Sequence, residues 1–242
     1  MKFEPTIDNN VVAELPAARF TGRIVVVDND SKVSEACADL ERYDVIGFDT
    51  ETRPSFRAGV SYRVSLLQLS TPEVCYLFRL CHIKLHNRIL KILGSKRIVK
   101  VGVDVMGDIR SLYGLRSFRA DGFLDLQHEA VRWGIEEKSL RKLSAIVLGH
   151  RVSKAQRLSN WEAETLTEQQ REYAATDAWV CIEILNRLEA SGEASGSRQF
   201  VASESALSEQ RRMAVEREER YRRRSRRNGR RKEDKQRNES DI

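Results

Sequence analysis

The chain has 242 residues, of which 40% are hydrophobic and 32% charged, a size that suits one domain with an appendage or two small domains. The N-terminus, MKFEPTIDNN, lacks the apolar core of a secretory signal, and no run of about 18 apolar residues exists, so we expect no membrane span. The four cysteines show no CxxC spacing, which predicts reduced thiols in a cytoplasmic protein.

The net charge of +6 is distributed unevenly along the chain. Residues 211–242 contain 14 of the 42 Lys and Arg residues and 7 of the 36 Asp and Glu residues, a local balance of +7. The other 210 residues therefore contain 28 basic and 29 acidic residues, a balance of −1. The basic character belongs to the C-terminal tail, and the body is nearly neutral.

Apolar runs and short helical periodicities alternate along the body of the chain. Strands are predicted at residues 23–28, 44–50, 63–70, 73–78, 97–101 and 122–126. Helices are predicted at residues 31–42, 85–93 and 108–113, and nearly all of residues 127–190 are predicted to be helical. Thr71-Pro72 indicates a hairpin turn, and Thr167 with Gln170 has capping-box spacing at the start of the last helix. This order predicts a mixed-sheet α/β domain over residues 1–190.

Two segments follow this domain. Residues 191–210 are rich in Ser, Gly and Ala, a composition typical of a linker. Residues 211–242 have too few apolar side chains for a core, so we expect an extension that is flexible when alone. Its arginines can bind phosphate backbones, which suggests tethering to nucleic acid, such as RNA or a ribosome. The alternative is a solvated helix with Glu/Arg pairs at i,i+4.

Two carboxylates stand at the end of the second predicted strand, in VIGFDTETRPSF. Residues i and i+2 of a strand point to the same face, so Asp49 and Glu51 project together. Their mutual repulsion would favour a proton on one of them, and a divalent cation such as Mg²⁺ or Mn²⁺ would relieve it. A surface pair, or an Asp that caps the next helix, is the alternative.

Further acidic residues occur downstream. Asp108 lies at a strand-to-helix junction where it could also be a plain helix cap, and Asp104 competes for the same role. Asp177 lies inside a helix, among small and apolar neighbours, where an Asp is unfavourable without a partner. Tyr173 precedes it by four residues on the same helical face, so a hydrogen bond between the two side chains is possible.

These motifs carry a resemblance. DTE, then GD at a strand-to-helix junction, then YAATDA on a late helix resemble the DEDD superfamily of 3′–5′ exonucleases, in the subclass with a Tyr-x-x-x-Asp motif. VSLLQLS, GLRSF, LDLQ and LSNWEAETLTEQQREYAATDAW are similar to segments of ribonuclease D-like domains and of the Werner-helicase exonuclease domain, from about Arg19 to Leu188.

The resemblance implies a ribonuclease H-like mixed sheet flanked by helices, with the basic tail as an extension. It implies that two Mg²⁺ or Mn²⁺ ions are bound by Asp49, Glu51, Asp108 and Asp177, and that Tyr173 orients the attacking water. The implied reaction releases nucleoside 5′-monophosphates from the 3′ end of single-stranded or 3′-extended DNA or RNA.

Substrate contacts are less sharply indicated. A single-stranded 3′ end needs apolar walls and a few phosphate contacts. Residues near the first motif and in the stretch RVSKAQRLSNW are candidates, although a structural role fits each of them equally well. They are Thr50, Arg53, Phe56, Leu66, Gln68, Lys154 and Gln156.

The sequence thus predicts a metal-dependent 3′–5′ exonuclease. A non-catalytic nucleic-acid-binding adaptor with a nuclease fold is the alternative, and a metal-dependent phosphatase of small nucleotides is a third reading. An adaptor has no need of the complete acidic set together with Tyr173, so the enzyme is favoured.

Overall fold

A computed structural model describes residues 2–57, 59–192 and 194–201, together with Ser208 and Arg212. Its centre is a six-stranded sheet in the order β1-β4-β3-β2-β5-β6. The strands are β1 (Arg23–Val27), β2 (Val45–Thr52), β3 (Val64–Ser70), β4 (Val74–Arg79), β5 (Val99–Gly102) and β6 (Phe123–Asp125).

Helices cover the sheet on both faces. They are α1 (Asn9–Glu14), α2 (Asp30–Leu40), α3 (Asn87–Leu93), α4 (Val105–Tyr113), α5 (Leu126–Glu129), a 3₁₀ helix (Ala130–Trp133), α6 (Leu140–Leu148) and α7 (Glu168–Ala190). This arrangement confirms the predicted α/β class with a mixed sheet.

The directions of the strands determine where functional side chains can meet. β3 pairs antiparallel with both β2 and β4, whereas β1, β2, β4, β5 and β6 all run parallel to one another. The carboxyl ends of these five strands therefore lie at one edge of the sheet. All seven residues of β3 are buried, as expected for a central strand with both faces covered.

Two layers of apolar side chains hold the helices on the sheet. On one face, α2, α3 and α4 pack on residues such as Phe48 and Phe78. On the other face, α6 and α7 pack on residues such as Val101 and Leu66, with Trp161 fully buried beside α7. The long helix α7 begins at the predicted capping box, because the Thr167 side chain accepts from the backbone N–H of Gln170 and the Gln170 side chain accepts from that of Thr167.

The structure corrects the prediction of nearly continuous helix over residues 127–190. α6 ends at Gly149, whose φ of 68° is a left-handed conformation that favours glycine. Residues 149–167 then form a loop of turns and irregular backbone, including a bridge between Arg151 and Ala17. The sequence also gave no indication of α1, which is only six residues long.

The segment after α7 contacts the edge of the sheet. Phe200 forms an isolated antiparallel bridge with Leu124, and the backbone N–H of Val201 donates to the carbonyl of Phe123 at 2.8 Å. The Arg198 guanidinium pairs with the buried carboxylate of Glu129 at 3.2 Å. Most of the predicted tail, and the predicted linker after Val201 except Ser208, lie outside the described residues, so both assignments stay predictions.

All four cysteines are described. Cys37, Cys75 and Cys181 are free and buried, and Cys81 is free and exposed. Within the described ranges, no helix combines the length and apolar character needed to cross a bilayer.

Candidate active site

β2 supplies the first two carboxylates. Asp49 and Glu51 lie on the same face of β2 near its carboxyl end, and both are partly buried. The register of β2 against β3 shifts between Glu51 and Thr52, so regular pairing ends directly after the second carboxylate. The strand holds the two side chains in fixed positions, and the chain then leaves the sheet as a loop.

α7 supplies the third carboxylate. Asp177 is 6% exposed and lies in the part of α7 that packs on β2. This packing is close because of Gly47, where a Cβ atom would lie 2.0 Å from the carbonyl oxygen of Ala178. The glycine two residues before Asp49 therefore lets α7 carry Asp177 to the carboxyl end of β2.

These three carboxylates form one group. Each of Asp49, Glu51 and Asp177 offers an oxygen, and these oxygens all lie within 4.8 Å of one another. Desolvation raises the pKa of Asp49 to about 7. Desolvation, followed by the charges of Asp49, Asp177 and Asp108, raises the pKa of Glu51 to about 10. Burial and the charge of Asp49 also raise the pKa of Asp177. Simultaneous ionisation of all three carboxylates is therefore unfavourable without a cation.

Asp108 joins this group from the first turn of α4. Burial, followed by the charge of Asp49, raises its pKa, so the carboxylate lies within electrostatic reach of Asp49. Its Oδ1 accepts a hydrogen bond of 2.6 Å from the hydroxyl of Thr50. Asp104, by contrast, is the exposed N-cap residue of α4, with a φ of 56°. Of the two candidates, the structure places Asp108 beside the other carboxylates.

Tyr173 stands one turn before Asp177 on α7. The two side chains are hydrogen bonded, and this bond lowers the pKa of Asp177 against the larger raising effects. Burial, and then the charges of Asp177 and Glu51, raise the pKa of Tyr173 above its usual value. The ring packs near Trp161, with 6.0 Å between ring centroids. The phenol is thus protonated and held at the border of the carboxylate group.

The donors fit hard divalent cations. They are all carboxylate oxygens, the preferred ligands of Mg²⁺ and Mn²⁺. Oδ1 of Asp177 is buried and has no hydrogen-bond partner within the described part of the chain. A buried polar atom without a partner is costly, and a bound cation would satisfy it while neutralising its neighbours.

A cavity of about 220 Å³, which we call the cleft, reaches this group at Asp177. Tyr173 and Asp177 line it from α7, and Val152, Ser153 and Gln156 line it from the loop that follows α6. The predicted substrate residue Gln156 therefore lies at the cleft, and its side chain accepts a hydrogen bond from Ser159. Lys154 is exposed on the same loop.

A second cavity of about 450 Å³, which we call the rim cavity, lies between residues 53–57 and 60–62 on one side and the loop after α6 on the other. The predicted contact Phe56 lines it and is 81% exposed. Arg53 also lines it, but its guanidinium pairs with Glu162 at 3.2 Å and stacks over the ring of Tyr62 at 4.6 Å. The Arg53 guanidinium is therefore already bound by Glu162 and Tyr62 in this structure.

Three other predicted substrate residues are less accessible. Thr50 donates to Asp108, as described above. Leu66 is fully buried in the core beneath α7. Gln68 is fully buried opposite Asp49 in the β2–β3 register, and its amide has no hydrogen-bond partner among the described residues. These three side chains belong to β2 and β3 and support the carboxylates from within the sheet.

The sequence did not indicate the residues that hold Arg53. Glu162 follows Trp161 in the loop before α7, 109 positions from Arg53, and no local pattern connects the two. Glu162 and Glu164 are the two acidic residues of that loop, and nothing in their spacing points to Arg53.

Comparison with known proteins defines the class of the domain. The structure matches the EXO domain of Aedes aegypti Nibbler with a TM-score of 0.61 and 26% identity, over 69% of this chain and 88% of that one. It matches Escherichia coli RNase D with a TM-score of 0.63 and 21% identity, over 78% of this chain and 50% of that one. The fold is that of a ribonuclease D-like α/β domain.

A family model described as 3′-5′ exonuclease matches residues 24–193. The mouse bifunctional 3′-5′ exonuclease/ATP-dependent helicase WRN is 36% identical over 187 residues, 72% of this chain and 13% of that protein. The Arabidopsis thaliana 3′-5′ exonuclease is 30% identical over 185 residues, 68% of this chain and 62% of that protein. The chain belongs to the 3′-5′ exonuclease family, in its ribonuclease D-like and WRN-like group, which confirms the family inferred from the sequence. It spans less than two thirds of these relatives' lengths.

Proposed function

We propose that this chain is a metal-dependent 3′–5′ exonuclease that hydrolyses nucleic acid from its 3′ end to nucleoside 5′-monophosphates. The observation that carries the proposal is the carboxylate group at the cleft, where oxygens of Asp49, Glu51 and Asp177 lie within 4.8 Å of one another beside Tyr173. A non-catalytic adaptor would need no such group, whose repulsion is costly without a cation.

Asp49, Glu51, Asp108 and Asp177 would hold two Mg²⁺ or Mn²⁺ ions. Such ions supply a nucleophilic water at neutral pH and stabilise the charge that develops on the attacking and leaving oxygens of an in-line displacement. The chain's contribution is to fix the ligands on rigid elements. β2 fixes two carboxylates, α7 fixes one, and Thr50 orients Asp108 by its hydrogen bond.

Tyr173 acts as a positioning group in this proposal. Because its pKa is raised, the phenol stays protonated at neutral pH and cannot serve as a general base by itself. Its single O–H is directed to Asp177 in this structure, and once a cation occupied that carboxylate the same O–H would orient the reacting phosphate or water. The cleft walls, including Val152 and Gln156, would enclose the terminal nucleotide.

The remaining parts of the proposal concern partners and location. The printed name of the mouse relative joins an exonuclease to a helicase, and nucleic acid is accordingly the proposed substrate, with DNA and RNA both to be tested. We propose that residues 191–210 form a linker and that the Arg-rich residues 211–242 tether the enzyme to nucleic acid, such as RNA or a ribosome. The proposed location is the cytoplasm, in keeping with four free cysteines.

The test is degradation of matched 3′-extended DNA and RNA oligonucleotides with Mn²⁺ or Mg²⁺. Wild type should give a ladder shortened from the 3′ end, with nucleoside 5′-monophosphates as products. Asp108→Asn should abolish the ladder, whereas Asp104→Asn is the matched control on the same helix and should retain it. The absence of any ladder from the wild type on either polymer would falsify the enzymatic proposal and favour the adaptor.

A further inference from the structure

A third cavity lies beside the start of β3 and the end of β4, and we call it the basic cavity. Its volume is about 500 Å³, within the usual range for ligand pockets. Arg63, His82, Lys84 and Arg116 line it, all four exposed, and no acidic residue in the described part of the chain does. On a body whose formal charge is −1, Arg63, Lys84 and Arg116 form a local concentration of positive charge.

The floor of the basic cavity is apolar. Leu80, Ile83 and Leu85 contribute to it, and each is less than 9% exposed. Leu115 completes the lining from the end of α4. A base or a sugar can pack on such a floor while its phosphate meets the basic rim, a combination that suits a nucleotide better than an inorganic ion.

A buried cation lies behind the basic rim. Arg79 is 2% exposed, and its Nη2 lies 3.4 Å from Nε2 of His82 and 3.6 Å from the sulfur of Cys81, both of which line the cavity. The guanidinium otherwise donates to the backbone carbonyls of Ala163 and Glu164. Its Nε has no hydrogen-bond partner among the described residues, and the acceptors that the guanidinium does contact at Ala163 and Glu164 are neutral backbone carbonyls. Its charge is therefore not neutralised locally and adds to the positive field of the cavity.

The three cavities follow one another along two segments of chain. The loop after α6 lines the cleft with Gln156 and the rim cavity with Leu158. The segment before β3 lines the rim cavity with Tyr62 and the basic cavity with Arg63. The backbone of these two segments therefore connects the linings of neighbouring cavities.

The basic cavity lies at the carboxyl-terminal edge of the sheet, with its apolar floor on the face covered by α2, α3 and α4 and Arg79 on the other face. In the register, Glu51 lies opposite Leu66 and Leu66 lies opposite Arg79, so the three residues form one row across β2, β3 and β4. Neighbouring strands are about 4.8 Å apart, so Arg79 lies roughly 10 Å from Glu51 along this row.

We propose that the basic cavity binds one nucleotide of the substrate strand, several nucleotides upstream of the 3′ end that occupies the cleft. The strand passes through the rim cavity on its way. The inference rests on the proposed exonuclease function for the identity of the strand. It adds a site that holds the polymer while its end is degraded, and the site distinguishes long substrates from short ones.

The first experiment measures binding of fluorescent single-stranded oligonucleotides to the full chain, from one nucleotide to about 16, with a phosphorothioate 3′ end to prevent degradation. Compared with wild type, Arg63→Gln/Lys84→Gln should weaken binding only above a threshold length. The slope of log K against log salt should become less steep by about 1.4, at about 0.7 for each phosphate contact. Lys96→Gln is the control, because Lys96 is exposed just before β5, at the opposite edge of the sheet.

A second readout uses Cys81, which lines the basic cavity and is exposed, whereas the other three cysteines are buried. Oligonucleotides above the threshold length should slow alkylation of Cys81 several-fold in the wild type and less in the double variant. A free nucleoside 5′-monophosphate should give no comparable protection at the same concentration.

The outcomes separate the two proposals. Binding losses that are independent of length, or equal in Lys96→Gln, would overturn the basic cavity as a strand site. Protection of Cys81 by free mononucleotide alone would assign the cavity to a small ligand and overturn it as well. If wild type degraded no polymer but length-dependent protection persisted, the exonuclease proposal would fail while the strand-binding site stood.

Discussion

The carboxylate floor and the loop rim of this molecule are built differently. The carboxylate floor consists of Asp49, Glu51, Asp108 and Asp177, all on β2, α4 or α7. The loop rim consists of residues 53–57, 59–62 and 153–160, which belong to no helix or strand. Side chains of the floor are half to fully buried, whereas Phe56 and Leu158 on the rim are 81% and 59% exposed.

This difference has a physical reason. Like charges stay together only if rigid elements hold them, because each carboxylate gains by moving away from the others. Exposed apolar side chains on loops can adapt to bases of any sequence, since every base has a stacking face. We therefore expect changes to the floor to affect turnover and metal binding, and changes to the rim to affect substrate affinity.

The largest effect is expected from Asp177→Asn. Losing one ligand removes several kilocalories per mole of transition-state stabilisation, so single-turnover cleavage should fall by about three orders of magnitude. The thermal midpoint in chelator should not fall, because one repelling charge is removed from the buried group. Glu183→Gln, a partly buried carboxylate farther along α7, is the control. Activity within tenfold of wild type would contradict the assignment of Asp177 to the floor.

The second prediction concerns pH and metal. Unfolded Asp and Glu titrate near pH 4, whereas Asp49 and Glu51 in the folded chain have pKa values of about 7 and about 10. The folded state thus binds more protons between these values, so the floor's contribution to the free energy of unfolding is greatest near pH 4 and is lost as pH rises. In chelator, wild type should lose more stability from pH 5 to pH 8 than Asp49→Asn does.

Metal should reverse that loss. Mn²⁺ at about 100 times its Kd adds about 2.7 kcal/mol to the free energy of unfolding, or roughly 5–10 °C in Tm, at pH 8. The shift should be smaller at pH 5, where protons compete for the same oxygens. Thermal melts with and without Mn²⁺ at both pH values measure it. An equal shift at both pH values, or in Asp177→Asn, would show that the ion binds elsewhere.

Thr50 provides a finer test of the floor. Thr50→Val removes the hydroxyl that donates to Asp108 at 2.6 Å and leaves the shape of the side chain unchanged. Loss of such an outer partner typically costs 10–100-fold in metal affinity, and the Mn²⁺ concentration needed for half-maximal cleavage should rise by about that factor. Thr50→Ser retains the hydroxyl and should restore the wild-type requirement. A Thr50→Val enzyme with unchanged metal requirement would mean that Asp108 is oriented without this bond.

The floor could be predicted from the sequence because its determinants are local. Period-two spacing places Asp49 and Glu51 on one face of a strand, and an Asp among small residues in a helix, as at Asp177, demands a partner. Family motifs then connected positions that lie far apart in the chain. The role of Gly47, which admits α7 close to β2, depends on packing that no local pattern reveals.

The surroundings of the predicted substrate residues could not be read from the sequence in the same way. Leu66 and Gln68 were expected as substrate contacts but are buried inside β3, because both faces of that strand are covered. Arg53 was expected to meet phosphate, yet a partner 109 positions away neutralises it. The loop after α6 was expected to be helical, but α6 ends at Gly149, which adopts a left-handed conformation. Coverage by helices decided the first case and long-range pairing the second, neither of which a local pattern reveals.

The smallest effect is expected at the rim itself. Phe56→Ala removes an exposed ring from the rim cavity, and a base stacked on such a ring is worth about 1–3 kcal/mol. KM for a single-stranded oligonucleotide should therefore rise by about tenfold, while kcat and Tm stay at their wild-type values. Val131→Ala, at a side chain that is 57% exposed on the 3₁₀ helix, should change neither constant. A fall in kcat with unchanged KM would place Phe56 with the carboxylate floor, and the division between a rigid chemical floor and an adaptable rim would then be wrong.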